Sequence, residues 1–356
     1  MPFRVGILGA TGAVGQTFVE LLNGHPLFEI TALAASERSA GKKYHEATNW
    51  IGSIEMPESV SDVIVQNCHP VLDCDFVFSG LDASVAGDIE GDLARAGYPV
   101  ISNARNFRME PDVPLLIPEV NPDHTALIDR QDWGGSGGFV VTNPNCSTVG
   151  LVMALKPLHD AFGIDAVHVV TMQALSGGGY PGVPALDALA NVVPHIGGEE
   201  AKMASETRKL LGTLTDKGVQ MADATISAQC NRVPVLDGHT ECVSVRLKTP
   251  ASAEEVADVM GSFESPLAGM GLPSAPEHPI KVFADERFPQ PRRHARAGGG
   301  MQVSVGKVQD CPVLGVKFVV LSHNTIRGAA GGAILNAELL NAQGRLVRKA
   351  EGVAAA

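Results

Sequence analysis

The sequence predicts two domains of different class: a doubly wound α/β domain on a mostly parallel sheet, followed by an α+β domain. Three observations predict it. The 356 residues suit two domains at roughly 150 residues each. The N-terminal part alternates short apolar runs with helical patterns, a βαβ rhythm. Beyond Cys146 the strand-like runs lengthen and partly alternate apolar with polar residues, as in an antiparallel sheet covered on one face.

In order, Phe3–Leu8 reads as a strand, and Gly12–Asn23 as a helix with Val14, Phe18, Leu21 and Leu22 on one face. Phe28–Ala35 and Cys74–Ser79 are further strands, Ser84–Ala96 a helix, and Pro99–Ser102 and Phe139–Thr142 the last strands of the first domain. Ser147–Phe162 then reads as a helix, Asp165–Gln173 and Thr240–Leu247 as long strands, with Glu199–Leu211 and Ala253–Phe263 as interspersed helices. Arg292–Gly300 (RRHARAGGG) reads as a basic, glycine-rich loop. Asn324–Leu340 returns to a helix whose small residues, Gly328 to Gly332, suit close packing.

Composition narrows the function. Hydrophobic residues make up 45% and charged residues 19%, enough for a sizeable core and too little charge for a disordered chain. The 39 glycines and 23 prolines make turns and close backbone approaches important. A net charge of −12 opposes nonspecific binding to nucleic acid or an anionic membrane, so any phosphorylated ligand must be held by a local basic patch. No run of 18 apolar residues occurs and the N-terminus enters a strand pattern directly, so the protein reads as cytoplasmic. Six scattered cysteines, with no C-x-x-C pair, argue against disulfides and against a structural metal.

Gly9-Ala10-Thr11-Gly12-Ala13-Val14-Gly15 falls between the first strand and the first helix. Glycines there permit a tight turn, let the backbone approach a pyrophosphate, and set the helix N-terminus against the anion. A glycine-rich turn without a ligand is the alternative. After the second strand comes Ser36-Glu37-Arg38-Ser39, then Lys42-Lys43. Glu37 would suit the ribose 2′-hydroxyl of NAD, while the serines, Arg38 and the lysines would hold the 2′-phosphate of NADP. The basic and hydroxyl groups predominate, so the expected cofactor is NADP.

Thr142-Asn143-Pro144-Asn145-Cys146 joins the last strand of the first domain to a long helix. Cys146 falls at the helix N-terminus, where the macrodipole and exposed N–H groups favour a thiolate. That marks it as the one cysteine expected to be reactive, a buried structural cysteine being the alternative.

Seven motifs in this order resemble aspartate-semialdehyde dehydrogenases of the archaeal and fungal branch: G-A-T-G-A-V-G, S-x-R-S-A-G-K, S-N-A-R-N-F-R-M, T-N-P-N-C-S-T, Q-A-L-S-G-G-G, N-R-V-P-V-x-D-G-H-T-E and N-x-x-x-G-A-A-G. The resemblance implies a Rossmann-type domain over 1–146 and a catalytic and dimerisation domain over 147–322, similar to that of glyceraldehyde-3-phosphate dehydrogenase. It also implies that 323–356 carries a C-terminal helix packing back on the first domain. The implied reaction is NADPH-dependent reduction of aspartyl 4-phosphate to aspartate 4-semialdehyde and phosphate, in lysine, threonine and methionine biosynthesis.

The resemblance assigns Cys146 as nucleophile, His239 as general acid/base, and Gln173 as the residue orienting substrate beside the thiol. It assigns Arg232 to the substrate carboxylate, Glu199 to its amine, and Arg108 with Lys202 to the leaving phosphate. Gly9, Thr11, Gly12, Ala13, Val14, Ser36, Arg38, Ser39, Ser79, Gly80, Ser176, Gly177 and Asn324 match cofactor-lining positions. It implies a homodimer or homotetramer, with its interface on the catalytic sheet. Two other readings stay open: reduction of an acyl-CoA such as malonyl-CoA or succinyl-CoA on the same fold, and a catalytically silent nucleotide-binding protein. Reduction of N-acetylglutamyl phosphate is a further option.

Overall fold

The computed structural model describes residues 1–349, so the last residues of the expected C-terminal segment lie outside the described range. The chain divides into two compact units. Unit 1 comprises Met1–Leu116, Asp123–Asn143 and the stretch from Ala330; unit 2 comprises Ile117–Pro122 and Pro144–Ala329.

Unit 1 is a six-stranded parallel sheet in the order β3-β2-β1-β4-β5-β6. Its strands are β1 (Phe3–Leu8), β2 (Phe28–Ala35), β3 (Gln66–Asn67), β4 (Phe76–Ser79), β5 (Pro99–Ser102) and β6 (Phe139–Thr142). Every residue of β4, β5 and β6 is buried. Parallel strands covered on both faces read as unbroken apolar runs, which is why these segments were conspicuous in the sequence. Helix α1 (Ala13–Leu22) follows β1 and buries Phe18, Val19 and Leu22. Two single turns, α2 (Tyr44–Ala47) and α3 (Glu58–Ser61), occupy the β2–β3 connection, and α4 (Ala83–Arg95) joins β4 to β5.

Helix α4 buries a carboxyl. Glu90 has no exposed surface and accepts a hydrogen bond from Ser102 Oγ at 2.7 Å. Burial pushes its pKa up to about 7, against the ordinary 4.5. Between those values the folded chain binds a proton that the unfolded chain has lost, so this contribution to stability falls as pH rises through that window. Glu90→Gln is expected to flatten the decline, which is on the order of 3 kcal/mol between pH 4.5 and 8. Denaturant titrations of both proteins across that range check this.

Unit 2 carries a second six-stranded sheet in the order β10-β7-β11-β14-β13-β12. It opens with the long helix α5 (Cys146–Phe162), then β7 (Ile164–Gln173), a turn over Leu175–Gly178, and α6 (Ala185–Ala188). Next come α7 (Glu199–Leu210), a hairpin of β8 (Thr213–Thr215) and β9 (Gly218–Gln220), then β10 (Thr225–Arg232) and β11 (His239–Leu247). Helix α8 (Ala253–Gly261), β12 (Ile280–Phe283), α9 (Pro291–His294), β13 (Val303–Cys311) and β14 (Gly315–Ser322) complete it.

The sheet departs from the antiparallel expectation at both edges: β10 runs parallel to β7, and β12 parallel to β13. Both pairs are joined by long connections that carry helices, which parallel pairing requires. The expected loop over Arg292–Gly300 is instead the end of α9 followed by a tight turn over Ala297–Gly300. After β14 the chain makes a π-helical turn over Ile326–Ala330 and enters α10 (Gly331–Ala342), a helix of unit 1. Gly331 to Leu340 are all buried, and Glu338 Oε1 meets His25 Nε2 at 2.9 Å.

Candidate active site

In unit 2, Asn145 caps α5: its Oδ1 accepts from the N–H groups of Ser147 at 3.0 Å and Thr148 at 3.2 Å. The next residue, half-buried Cys146, opens the helix. The cap takes two of the N–H groups that the sequence reading had offered to the thiol. The sulfur instead faces His239, with Nε2 3.3 Å from Sγ. His239 is fully buried at the start of β11, and its Nδ1 accepts a hydrogen bond from the Ala174 N–H at 3.0 Å. Burial, reinforced by the Arg232 guanidinium, pushes its pKa down to about 3. The ring is therefore neutral at rest near pH 7.

Gln173, the last residue of β7, directs Nε2 to Ser147 Oγ and, at 3.2 Å, to Glu199 Oε1. Glu199 opens α7 and also accepts from Asn145 Nδ2 at 2.8 Å and Lys202 Nζ at 2.9 Å. Burial raises its pKa, but the hydrogen bond and charge of Lys202, with Asn145 and Gln173, outweigh that and hold it below the ordinary carboxylate range. Arg232 ends β10 and donates from NH1 to Ala174 O at 2.7 Å. A Cβ on Gly177 would lie 2.8 Å from Arg232 NH1 and 2.9 Å from His239 Cε1, so only glycine lets this turn close over both side chains. Asn324 ties the same loops together, donating to Ser176 Oγ at 2.8 Å and accepting from the Gly238 N–H at 2.9 Å.

Unit 2 thus gathers Cys146, His239, Gln173, Glu199, Lys202, Arg232, Ser176, Gly177 and Asn324. A buried carboxylate, an amide, two cations and a histidine beside a thiol can hold a small zwitterionic acyl substrate and form a thioester. The other cysteines divide. Burial pushes the thiols of Cys74 and Cys230 up to about 12. The Cys311 thiol, by contrast, is lowered by the backbone N–H groups of Leu314 and Val313.

Unit 1 holds Gly9, Thr11, Gly12, Ala13 and Val14 in the β1–α1 turn, where Gly9 has φ +71° and a Cβ there would lie 2.8 Å from Gly80 O. Gly12 caps α1 without a side-chain hydrogen bond, leaving the first N–H groups of α1 for an anion. Ser36 and Arg38 are exposed beyond the end of β2, Ser39 is buried, and Ser79 ends β4 beside Gly80. This backbone cradle with a basic edge fits a dinucleotide. Arg108 also lies in this unit and donates from NH2 to Asn103 O at 2.7 Å.

Residues 4–128 match the semialdehyde dehydrogenase NAD binding domain, and residues 155–327 the semialdehyde dehydrogenase dimerisation domain. The aspartate-semialdehyde dehydrogenase of Methanothermobacter thermautotrophicus is 51% identical over 95% of this chain and 99% of its own. The chain belongs to the aspartate-semialdehyde dehydrogenase family. The Candida albicans member of the family is 48% identical over 96% of this chain and 98% of its own. A crystal structure of the Candida enzyme with NADP superposes with a TM-score of 0.89, covering 96% of this chain and 99% of that one. The branch is thus the archaeal and fungal one, and this aspartate-semialdehyde dehydrogenase chain has the Rossmann-type and catalytic domains that the resemblance implied. No helix among the described residues is long and apolar enough to cross a membrane.

Three contributors to this family member's site escaped the sequence reading. Asn145 bridges the α5 cap to Glu199, and an Asn directly before a helix is a capping signal that could have found it. Glu206, which accepts from the Asn145 N–H at 2.6 Å, lies two turns after Glu199 on the same helix face. The Ala174 N–H carries no side-chain signal at all.

Proposed function

We propose that the chain catalyses NADPH-dependent reduction of L-aspartyl 4-phosphate to L-aspartate 4-semialdehyde and phosphate. It would serve lysine, threonine and methionine biosynthesis in the cytoplasm. The single observation that carries the reading is the Cys146–His239 contact of 3.3 Å at the head of α5, in a chain about half identical to enzymes of that name. Cys146 thiolate attacks the acyl carbon and the C–O bond to phosphate breaks, leaving a thioester on the sulfur. NADPH, when bound, supplies the hydride that reduces this thioester. Collapse of the thiohemiacetal releases the aldehyde and returns the thiolate.

Gln173 orients the acyl group beside the thiol, and His239 serves the thiohemiacetal oxygen. Arg232 pairs with the substrate carboxylate, a two-pronged task suited to a guanidinium, and Glu199 accepts from the substrate amine. Arg108 and Lys202 bind the phosphate. In unit 1 the Gly9–Val14 turn, with Ser79 and Gly80, holds the pyrophosphate side of NADPH, while Ser36, Arg38 and Ser39 hold the 2′-phosphate. Ser176, Gly177 and Asn324 line the nicotinamide end. His168, Cys242, Arg246 and Lys317 lie exposed on the unit 2 sheet, a face suited to pairing two copies as a homodimer or within a homotetramer.

A substrate panel tests the reading. Turnover of aspartyl phosphate and of aspartate semialdehyde plus phosphate is expected, with malonyl-CoA, succinyl-CoA and N-acetylglutamyl phosphate at least about 100-fold poorer; preference for an acyl-CoA would overturn it. For the cofactor, Arg38→Asp is expected to raise the KM for NADPH by about 10- to 100-fold, the value of one charge-assisted pair, and leave that for NADH within a few-fold. Initial-rate kinetics with both cofactors check this.

A further inference from the structure

We infer that Glu206 is a positioning residue of the reaction. Its carboxylate holds the backbone of Asn145, and through it the Cys146 thiol, while the substrate amine occupies Glu199. The inference rests on the reaction proposed above and adds to it a residue to which no substrate group is assigned.

Asn145 stands directly before the nucleophile, and each of its polar atoms is engaged. Its Oδ1 accepts from the N–H groups of Ser147 and Thr148, and its carbonyl accepts from the Val149 N–H at 3.1 Å. These three bonds lie within the first turn of α5 and tie Asn145 to the helix it caps. The two that remain reach across to α7. Asn145 Nδ2 donates to Glu199 Oε1 at 2.8 Å, and the Asn145 N–H donates to Glu206 Oε2 at 2.6 Å. Two helical turns separate Glu199 from Glu206, so one face of α7 presents both carboxylates to a single residue. Both are buried, where a hydrogen bond to a carboxylate is little weakened by solvent.

The two bonds fare differently when substrate arrives. Glu199 already accepts from Asn145, Gln173 and Lys202, and a carboxylate has about four acceptor sites. An ammonium brings further donors to it, so the bond from Asn145 Nδ2, which shares Oε1 with Gln173, comes under competition. Were Glu199 the only hold on Asn145 from outside α5, binding of the substrate amine would loosen the residue next to the thiol just before attack. Glu206 removes that conflict. It grips a peptide N–H, so what it fixes is the chain itself at the head of α5. The thiol placed there lies 3.3 Å from His239 Nε2. Displacement on the order of 1 Å at a reacting atom lowers a rate by about 100-fold.

Two conservative variants separate this hydrogen bond from charge and packing. Glu206→Gln loses the charge but keeps an acceptor oxygen at the same reach, and should keep kcat within a few-fold. Glu206→Asp keeps the charge but withdraws the acceptor by one methylene, and should lower kcat by about 10- to 100-fold with KM for aspartate semialdehyde little changed. Thermal melts confirm that each variant is folded. Unaltered kcat in Glu206→Asp, an equally deep fall in Glu206→Gln, or a rise in KM at constant kcat would overturn the proposal. A second measurement leaves Glu206 in place. In Cys146→Ser protein labelled with 15N-asparagine, aspartate semialdehyde should shift the side-chain amide signals of Asn145 and leave its backbone N–H signal where it was. A backbone signal that moves as far as the side-chain signals would equally overturn it. The variants are compared on whichever substrate the unaltered enzyme turns over. A wrong substrate assignment therefore shows in the substrate panel, and failure here shows in the order of the variants.

Discussion

Cys146→Ser is expected to lower kcat for phosphate-dependent NADPH formation from aspartate semialdehyde by about 10⁴-fold or more, with the fold intact. A serine hydroxyl is a far weaker nucleophile unless a neighbouring base removes its proton. The side chain in reach is His239, whose Nε2 lies 3.3 Å from the sulfur and whose Nδ1 accepts from the Ala174 N–H, and a hydroxyl is far less acidic than a thiol. The oxygen would therefore stay protonated and the thioester would not form. The change removes little volume at a half-buried position, so the melting temperature should stay within a few degrees. Cys230→Ser is the control: that thiol packs against Met203 Sδ at 3.6 Å and should be dispensable to the chemistry. Rates with both variants, beside thermal melts, check this. Near-normal turnover in Cys146→Ser would refute the covalent route. Alkylation would also test for a silent nucleotide binder, provided modified peptides are mapped, because the Cys311 thiol is lowered too.

What was legible in the sequence follows from how each feature is encoded. The parallel sheet was readable because strands buried on both faces leave unbroken apolar runs such as Phe76–Ser79 and Phe139–Thr142. The edge strands β10 and β12 were not, because Thr225–Arg232 is largely polar and Ile280–Phe283 is too short to show a period. In the site, the side chains that carry charge or nucleophilicity stood in motifs and could be named. What a sequence does not show is which hydrogen bond each polar atom has already made. Asn145 occupies the N–H groups at the head of α5, and the Ala174 peptide occupies His239 Nδ1. Those two bonds hold the head of α5 and the imidazole in place, and both involve backbone atoms present at every residue. The environment of Glu199 shows the same limit. The spacing to Lys202 was visible, but not the amides of Asn145 and Gln173 that share its carboxylate.

In the buried pair Arg327–Glu119, Arg327 stands at an unspecified position of the last motif and Glu119 in none, and breaking the pair should have the largest effect on stability. Glu119 lies in Ile117–Pro122, a short segment belonging to unit 2 although unit 1 flanks it in the sequence. Arg327 grips it through two parallel hydrogen bonds of 2.7 and 2.8 Å, both side chains being 1% exposed. Removing the arginine leaves a buried carboxylate without its cation, so Arg327→Leu is expected to cost about 3–5 kcal/mol. Replacing both partners, as Arg327→Leu with Glu119→Leu, leaves no stranded charge and should recover much of that loss, because a buried pair gains little over apolar residues of similar volume. Denaturant unfolding of the single and double variants measures the difference; a single variant losing under about 1 kcal/mol would show that the carboxylate finds water or another partner. The consequence extends to the thiol. Gly328, next to Arg327, packs so closely that a Cβ on it would lie 2.8 Å from Cys146 Cβ. Holding Arg327 therefore holds the backbone against which the head of α5 rests. In Arg327→Leu, kcat should fall by about 10-fold even under conditions where the protein remains folded, since loss of sub-ångström placement at a reacting atom is costly. The double variant should recover stability more fully than rate, because the leucines restore packing without the two directed bonds that set the position of the turn.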